Sequence, residues 1–370
     1  MFNFNITGMK NTLINLRKIL SEHGLIDNPK IDISDKILIA IKIQAVREML
    51  DINDVIISDL SNTLDIQNNG RLYAIRMDLN THVDNHKKFV VASLILKGVL
   101  NGNLPNPEVD TLIDGGNFNS AKALKFYCER FGMKGIYIMS KLFPQDILNL
   151  LQNESFSIML APDRFANRRE VEFYEYLFGL MKKHDFRKNK YCLWHAKHGG
   201  NVTKWLGGVI IAGITEKPDF IVSCLGAGST LEGVQIPVKE KFGSKIIIPE
   251  HVQSQLFAKT GIPTTFLPSK GESLFQNEFR EVAGVPHMVI GPHYDEINPL
   301  ITKNTIQQID EVIVYQQSDW QKIEHDLKQQ GISVGNSSAA NLACSKYVAD
   351  NGKFVLTIIF EPQRQFYVNA

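Results

Sequence analysis

From about residue 55 onward the chain is a succession of short runs rich in β-branched residues. The runs are "VIISDL", "RLYAIRM", "TLIDGG", "GIYIMS", "SIMLA", "DFIVSCLGAG", "KIIIP", "EVIVYQ" and "KFVLTIIF". Most are separated by stretches of helical periodicity, among them residues 88–100, 119–131, 143–152 and 170–184. Strands that alternate with helices pair in parallel, because each connection must cross back over the sheet before the next strand begins. A parallel sheet is covered on both faces, so its strands read as near-continuous apolar runs, as these do. The expected fold class is α/β with mainly parallel sheets. Ligands of such sheets sit beyond the carboxyl ends of the strands, which directs attention to the turns after "TLID" and "DFIVSCL". Upstream, residues 8–51 read as helices: Leu13, Leu16, Ile19 and Leu20 recur at helical spacing, as do Ile39, Ile41, Ile43, Val46 and Leu50. The stretch "DNPKIDISD" lies between them as a loop.

The bulk numbers remove several function classes. A chain of 370 residues with 44% apolar content is long enough for about two domains with sizeable cores. Forty Lys and Arg against 39 Asp and Glu leave no global basic field for nucleic acid or membrane. The basic stretch "KKHDFRKNK" is short and reads as a solvated helix end and loop. No run approaches 18 apolar residues, so no membrane span is expected. The start, "MFNFNITGMKNTL", lacks a basic segment followed by an apolar one, which argues against a secretory signal. Cys128, Cys192, Cys224 and Cys344 are scattered without a CxxC pair, as in a reducing compartment. A cytoplasmic protein is the expectation.

Four stretches carry candidate chemistry. In "CLGAGSTLEGV", small residues Gly226, Ala227 and Gly228 and hydroxyls Ser229 and Thr230 follow a buried-type strand and open a helix. Backbone N–H groups converging there, with the helix's positive end, make a phosphate cup; a plain tight turn needs the same residues. In "NHKKFVVASLILKGVL", Lys87 and Lys88 stand at the start of an apolar helix. A lysine at the ligand edge of a sheet can carry a Schiff base; the structural alternative is a solvated helix start. "LIDGGNFNSAKAL" places Asn117 and Asn119 where a strand becomes a helix, and "GNSSAANLA" begins another helix with Ser337 and Ser338, an ordinary N-cap in the structural reading. His82 and His86, like His195 and His198, suit a metal only if both lie on one helix face and further ligands converge. Both glycine turns miss the GxGxxG fingerprint, "GAGSTLEG" placing its third glycine two positions late, which puts a nicotinamide-dependent dehydrogenase last.

Together these stretches resemble the fold type II pyridoxal-phosphate enzymes, the family of cysteine synthase and the tryptophan synthase β chain. "LSNTL" resembles the family's GNTPL, "NHKK" its lysine motif (GSVKD or AHKIN), "IDGGNFNSAKAL" its EPTSGNTGIAL, "GAGSTLEGV" its GTGGTLTGV and "GNSSAANLA" its GISSGAAVA. The match runs over about residues 55–362 in the family's order. The resemblance implies two α/β domains with mainly parallel sheets and the cofactor in the cleft between them. Residues 53–88 and 196–370 would form the large cofactor-binding domain, 89–195 the small one, and 1–52 a helical N-terminal extension. It implies that Lys87, with Lys88 as runner-up, holds pyridoxal 5'-phosphate as a Schiff base and takes the substrate's Cα proton. Asn119 would bond the cofactor's ring hydroxyl, residues 226–230 its phosphate, and Ser337 would face the pyridine nitrogen. The substrate carboxylate would lie near Gly116, Asn117, Phe118 and Ser120. The implied reaction is β-replacement on an O-activated serine through an aminoacrylate, in a homodimer with a small amino acid as its partner molecule.

The chain also departs from the family. Phe118 replaces a glycine, and "GPHYDEI" stands where the cysteine synthase branch reads GIGAGF. Gly291 keeps its place, while His293, Tyr294 and Asp295 add bulk and charge; packed loop residues are the bland alternative. The departures imply a non-standard nucleophile or leaving group. The family's substrate-side glutamine falls near Leu193, and Trp194, His195 or His198 are candidates for its role. Two alternatives stand: a β-eliminating lyase or deaminase, and a catalytically degenerate protein that binds a partner, with residues 1–51 as docking element or dimer cap.

Overall fold

The structure is a computed structural model that describes residues 9–26, 35–36, 44–52, 55–139, 145–162, 170–254, 256–267, 297 and 301–363. In chain order the strands are β1 (Ile57–Asp59), β2 (Arg71–Arg76), β3 (Thr111–Gly116), β4 (Lys134–Met139), β5 (Phe156–Leu160), β6 (Lys190–Cys192), β7 (Phe220–Val222), β8 (Lys245–His251), β9 (Thr264–Phe266), β10 (Glu311–Tyr315) and β11 (Phe354–Ile359). The chain divides into two compact units, Met1–Asp54 with Asn80–Asn167 and Val171–Trp205, and Val55–Leu79 with Arg168–Glu170 and Leu206–Ala370. The sequence reading sets a boundary after Lys88; the compact division falls at residue 80, so Lys87 and its helix lie inside the first unit.

The first unit holds a four-stranded sheet in the order β5-β4-β3-β6, parallel throughout. Helix Phe118–Phe131 lies against β3 and β4 and against helix Lys87–Leu100. The latter is buried at thirteen of its fourteen positions, which explains why its sequence is apolar all round rather than striped. Residues upstream are integral to this unit. Leu13, Leu16 and Leu20 of helix Met9–Glu22 are buried, and that helix packs on helices Phe118–Phe131 and Lys87–Leu100. The Tyr127 hydroxyl donates to the Leu50 carbonyl at 2.7 Å, and Arg130 Nε to that of Met49 at 2.7 Å. The apolar faces of these N-terminal helices are therefore seated on their own chain.

The second unit holds a seven-stranded sheet in the order β1-β2-β11-β7-β8-β10-β9, antiparallel only between β1 and β2. β11 is buried along its whole length, and helix Asn336–Ala349, rich in Ala and Ser, packs against it. Asn341, fully buried in that helix, joins two strands: its Oδ1 accepts from Cys224 N just beyond β7 at 2.7 Å, and its Nδ2 donates to Ile358 O on β11 at 2.9 Å. Asn341→Leu leaves two buried backbone groups unsatisfied and is expected to cost about 2–3 kcal/mol, read as a lower urea midpoint at unchanged m-value.

All nine apolar runs contain a strand. The two that periodicity misses, β6 and β9, are three-residue edge strands, too short to show a repeat. Among the described residues no helix is long and apolar enough to cross a membrane.

Candidate active site

Two lysines turned inward at the start of a buried helix are costly, because both burial and the helix's positive end disfavour a cation there. Their surroundings differ. Lys88 Nζ donates to Asp51 Oδ2 at 2.9 Å and to Thr81 O at 2.6 Å. That amine is engaged in holding residue 51 to the helix. The Lys87 backbone N–H is taken by Asn85 Oδ1 at 2.9 Å, but its amine makes no hydrogen bond or ion pair among the described residues, although Lys87 is only 6% exposed. Burial lowers its pKa from 10.5 to about 8, against the opposing pull of Asp114. A buried amine so easily made neutral is both a nucleophile and a base. His86 beside it is held well below the ordinary imidazole range, by burial first and then by Lys87 and His195.

The turn from β3 into helix Phe118–Phe131 is tightly built. Asn117 caps the helix, its Oδ1 accepting from Ser120 N at 3.4 Å and from Ser120 Oγ at 3.0 Å. The Ser120 hydroxyl in turn accepts from Tyr137 Oη at 2.6 Å. Phe118 is packed in the core. Gly116 has φ +144°, and a Cβ there would lie 2.9 Å from His195 Cε1 and 3.1 Å from Tyr137 Oη, so only glycine fits. Asn117 and Ser120 are thus tied into the turn itself. The Asn119 side-chain oxygen is buried and without a partner among the described residues.

Below this turn lies a buried carboxylate–imidazole hydrogen-bonded pair that no reading of the motifs anticipates. Asp114 on β3 is 1% exposed; its Oδ1 accepts from Gly115 N at 2.9 Å, and its Oδ2 from His195 N at 3.2 Å and Nδ1 at 3.0 Å. His195 is 2% exposed and opens helix His195–Val202. Trp194, just before it, sits at φ 59°, ψ 47°, a left-handed conformation that non-glycine residues seldom adopt. Of the three residues considered for the substrate-side role, His195 faces the turn. Trp194 stacks on Phe178, with ring centroids 5.2 Å apart, and His198 is half-buried, its pKa lowered by burial and then by Lys97 and Lys197.

In the second unit, β7 gives way to the 226–230 turn, and the chain is helical from Ser229 to Phe242 with a π-turn over Leu231–Gln235. Gly228 has φ +90°. The Ser229 hydroxyl is buried without a partner among the described residues, as are both amide atoms of Gln235. The Ser338 hydroxyl accepts from Phe360 N at 2.9 Å, so it is committed to the backbone; Ser337 is buried, and among the described residues its hydroxyl makes no hydrogen bond. Gly291, His293 and Tyr294 lie outside the described residues. His82 and His86 precede the helix, with His82 at φ 64°, so they do not share a helix face. Among the described residues no three His, Cys, Asp or Glu side chains converge as a metal set.

No protein-family model and no curated protein sequence matches the chain. Solved structures do. The O-acetylserine-dependent cystathionine β-synthase of Helicobacter pylori is similar at a TM-score of 0.65 and 19% identity, over 86% of this chain and 95% of that one. An O-ureido-L-serine synthase is similar at 0.65 and 15%, over 87% and 93%. A cysteine synthase of Entamoeba histolytica is similar at 0.63 and 18%, over 87% and 88%. The chain thus has the fold type II architecture of the cysteine synthase-type enzymes. At these identities the likeness speaks for the fold.

Sequence reasoning passed over Asp114, Tyr137, Asn85 and Asn341. Asp114 had a signal of its own: a carboxylate inside an apolar parallel strand demands a buried partner.

Proposed function

We propose that this chain is a pyridoxal 5'-phosphate-dependent enzyme that performs β-replacement on an O-activated serine-type amino acid. The observation that carries the reading is the enclosed Lys87 amine, with no partner among the described residues and a pKa near 8. The residues present fit the cofactor: the Asn119 oxygen and the Ser229 hydroxyl are buried and unsatisfied among the described residues, as groups awaiting a ring hydroxyl and a phosphate are. The names of two structural neighbours, with O-acetylserine and O-ureido-L-serine in them, support the substrate class.

Bound pyridoxal phosphate supplies a carbonyl for an amine and an electron sink for the substrate's Cα. Lys87 would hold it, with Asn119 at the ring hydroxyl, Gly226, Ala227, Gly228, Ser229 and Thr230 at the phosphate, and Ser337 at the ring nitrogen. An uncharged hydroxyl there does not fix a proton on that nitrogen as a carboxylate would, which favours prompt departure of a β leaving group. Lys87 Nζ would take the substrate's Cα proton and later return one; its lowered pKa keeps much of it in the basic form at mildly alkaline pH. The backbone of Gly116, Asn117, Phe118 and Ser120 would orient the substrate carboxylate, in a shape fixed by the Asn117, Ser120 and Tyr137 hydrogen bonds. Gly291, His293 and Tyr294 are proposed to border the leaving group, and a cytoplasmic homodimer is part of the same proposal.

Purified with pyridoxal phosphate, the protein is expected to absorb visible light, to bleach on borohydride and to retain the cofactor on one tryptic peptide. A peptide other than that of Lys87 rejects the assignment. O-acetylserine is expected to lose acetate and to accept an added nucleophile; a keto acid and ammonia without one would assign the β-elimination alternative. Ser229→Ala removes one donor to a charged acceptor and is expected to weaken cofactor binding about tenfold, measured by fluorescence titration at unchanged thermal stability.

A further inference from the structure

The Asp114–His195 pair is built like a base with its orienter. Its two side chains are buried, and 81 residues separate them in sequence. Burying both is costly unless the pair has geometry to offset it, and it has: Asp114 accepts three hydrogen bonds, two of them from His195. The backbone bond to His195 N and the left-handed Trp194 fix where the imidazole begins; the 3.0 Å contact at Nδ1 fixes its tautomer. With the proton on Nδ1, Nε2 is an acceptor, and among the described residues it makes no hydrogen bond. The ring lies over the carboxylate turn, since a Cβ on Gly116 would be 2.9 Å from its Cε1 and 3.4 Å from Nε2. A non-glycine residue strained to φ 59° beside a buried base is the kind of backbone outlier that functional sites retain.

We infer that His195, oriented by Asp114, is the general base for the incoming nucleophile, and that the nucleophile is one that still carries its proton at neutral pH, a nitrogen or oxygen acid rather than an anion such as hydrosulfide. The inference rests on the β-replacement reading above. As the nucleophile's heteroatom bonds to the substrate's Cβ, its N–H or O–H bond breaks and the proton passes to His195 Nε2; the Asp114 carboxylate faces the imidazolium so formed. The proton at Cα is taken and returned by Lys87, and the proton on His195 passes to water with the departed carboxylate as counter-charge, so the two transfers have separate bases. Asp114 is a positioning residue, acting through His195. Among the described residues, the titratable groups near the pair include Tyr137 on β4, Cys192 on β6, His86 and Lys87 at the head of their helix, and His198 on its own helix, with Lys97 and Lys197 beside His198.

The test pairs two probes, 1,2,4-triazole, which must lose an N–H proton, and azide, which has none to lose. In the holoenzyme, His195→Gln is expected to lower kcat with triazole by 10²- to 10³-fold at a KM within threefold, the usual worth of a general base. The loss with azide is expected to be at least tenfold smaller than the loss with triazole, and this ratio is the readout. In the cofactor-free protein, ¹⁵N NMR should show His195 protonated at Nδ1 in the wild type and shifted toward the Nε2–H form in Asp114→Asn. Equal losses with both probes, no loss with triazole, or a wild-type Nε2–H tautomer would overturn the inference. A wild type that releases no acetate overturns the function proposed above instead, while the tautomer still decides the dyad on its own.

Discussion

On the function proposed above, Lys87→Met is expected to abolish turnover, lowering kcat/KM by roughly 10³-fold or more, because one substitution would remove both the amine proposed to hold the cofactor and the base proposed to move the Cα proton. Borohydride should then fix no pyridoxal phosphate to the protein, although reversible binding through the 226–230 turn is expected to persist. The same variant should be the more stable protein. The Lys87 pKa falls from 10.5 to about 8 on folding, so burying its charged form costs on the order of 3 kcal/mol at about 1.4 kcal/mol per pKa unit. The sign follows from proton counts. Between pH 8 and 10.5 the unfolded chain binds more protons at this position than the folded one, so wild-type stability rises with pH across that window. Below about pH 8 both states are protonated and the cost is complete. Urea unfolding of the cofactor-free proteins should therefore show Lys87→Met ahead at pH 7 and the gap closing toward pH 10. A variant less stable than wild type at pH 7 would show that the amine has a partner.

The neighbouring substitution is expected to do the reverse. Lys88→Met removes the hydrogen-bonded lysine from Asp51, whose side chain is 17% exposed and keeps only His82 Nε2 at 3.9 Å among the described ion-pair contacts, and it removes the 2.6 Å donor to Thr81 O. Breaking a buried pair from one side leaves an uncompensated charge, and about 3–5 kcal/mol is the expected loss. That is a large part of the stability of an ordinary domain. Adding Asp51→Asn removes the stranded charge and should recover more than half of the loss, measured by thermal or urea denaturation. Where enough folded Lys88→Met protein is obtained, borohydride should still attach the cofactor to it through Lys87. Two adjacent lysines on one helix turn would then be separated cleanly, one into chemistry and one into architecture.

Much of the fold is legible because the rule behind it is local. A strand covered on both faces is apolar at every position, and the buried strand β11 and the helix Lys87–Leu100 both show it in their composition. The glycine turn at 226–230 is legible for a similar reason, since the φ of Gly228 excludes most other residues. The site is legible only in outline. Asn117 and Ser120 look in sequence like ligand-binding side chains, but they are spent on capping the helix and on Tyr137, a residue from another strand. Ser337 and Ser338 are likewise equivalent in sequence; Phe360, on the far side of the helix connection, takes up the hydroxyl of Ser338.

The sequence by itself determined the alternation of elements, the parallel sheets and the neighbourhoods of the glycine-rich turns, because backbone geometry and burial constrain residue type within a few positions. The tertiary structure alone decided which side chains are spoken for. Lys88 is held by a carboxylate 37 residues upstream, and His195 by one 81 residues upstream. Such pairings follow from how separate elements pack, and no local pattern encodes them.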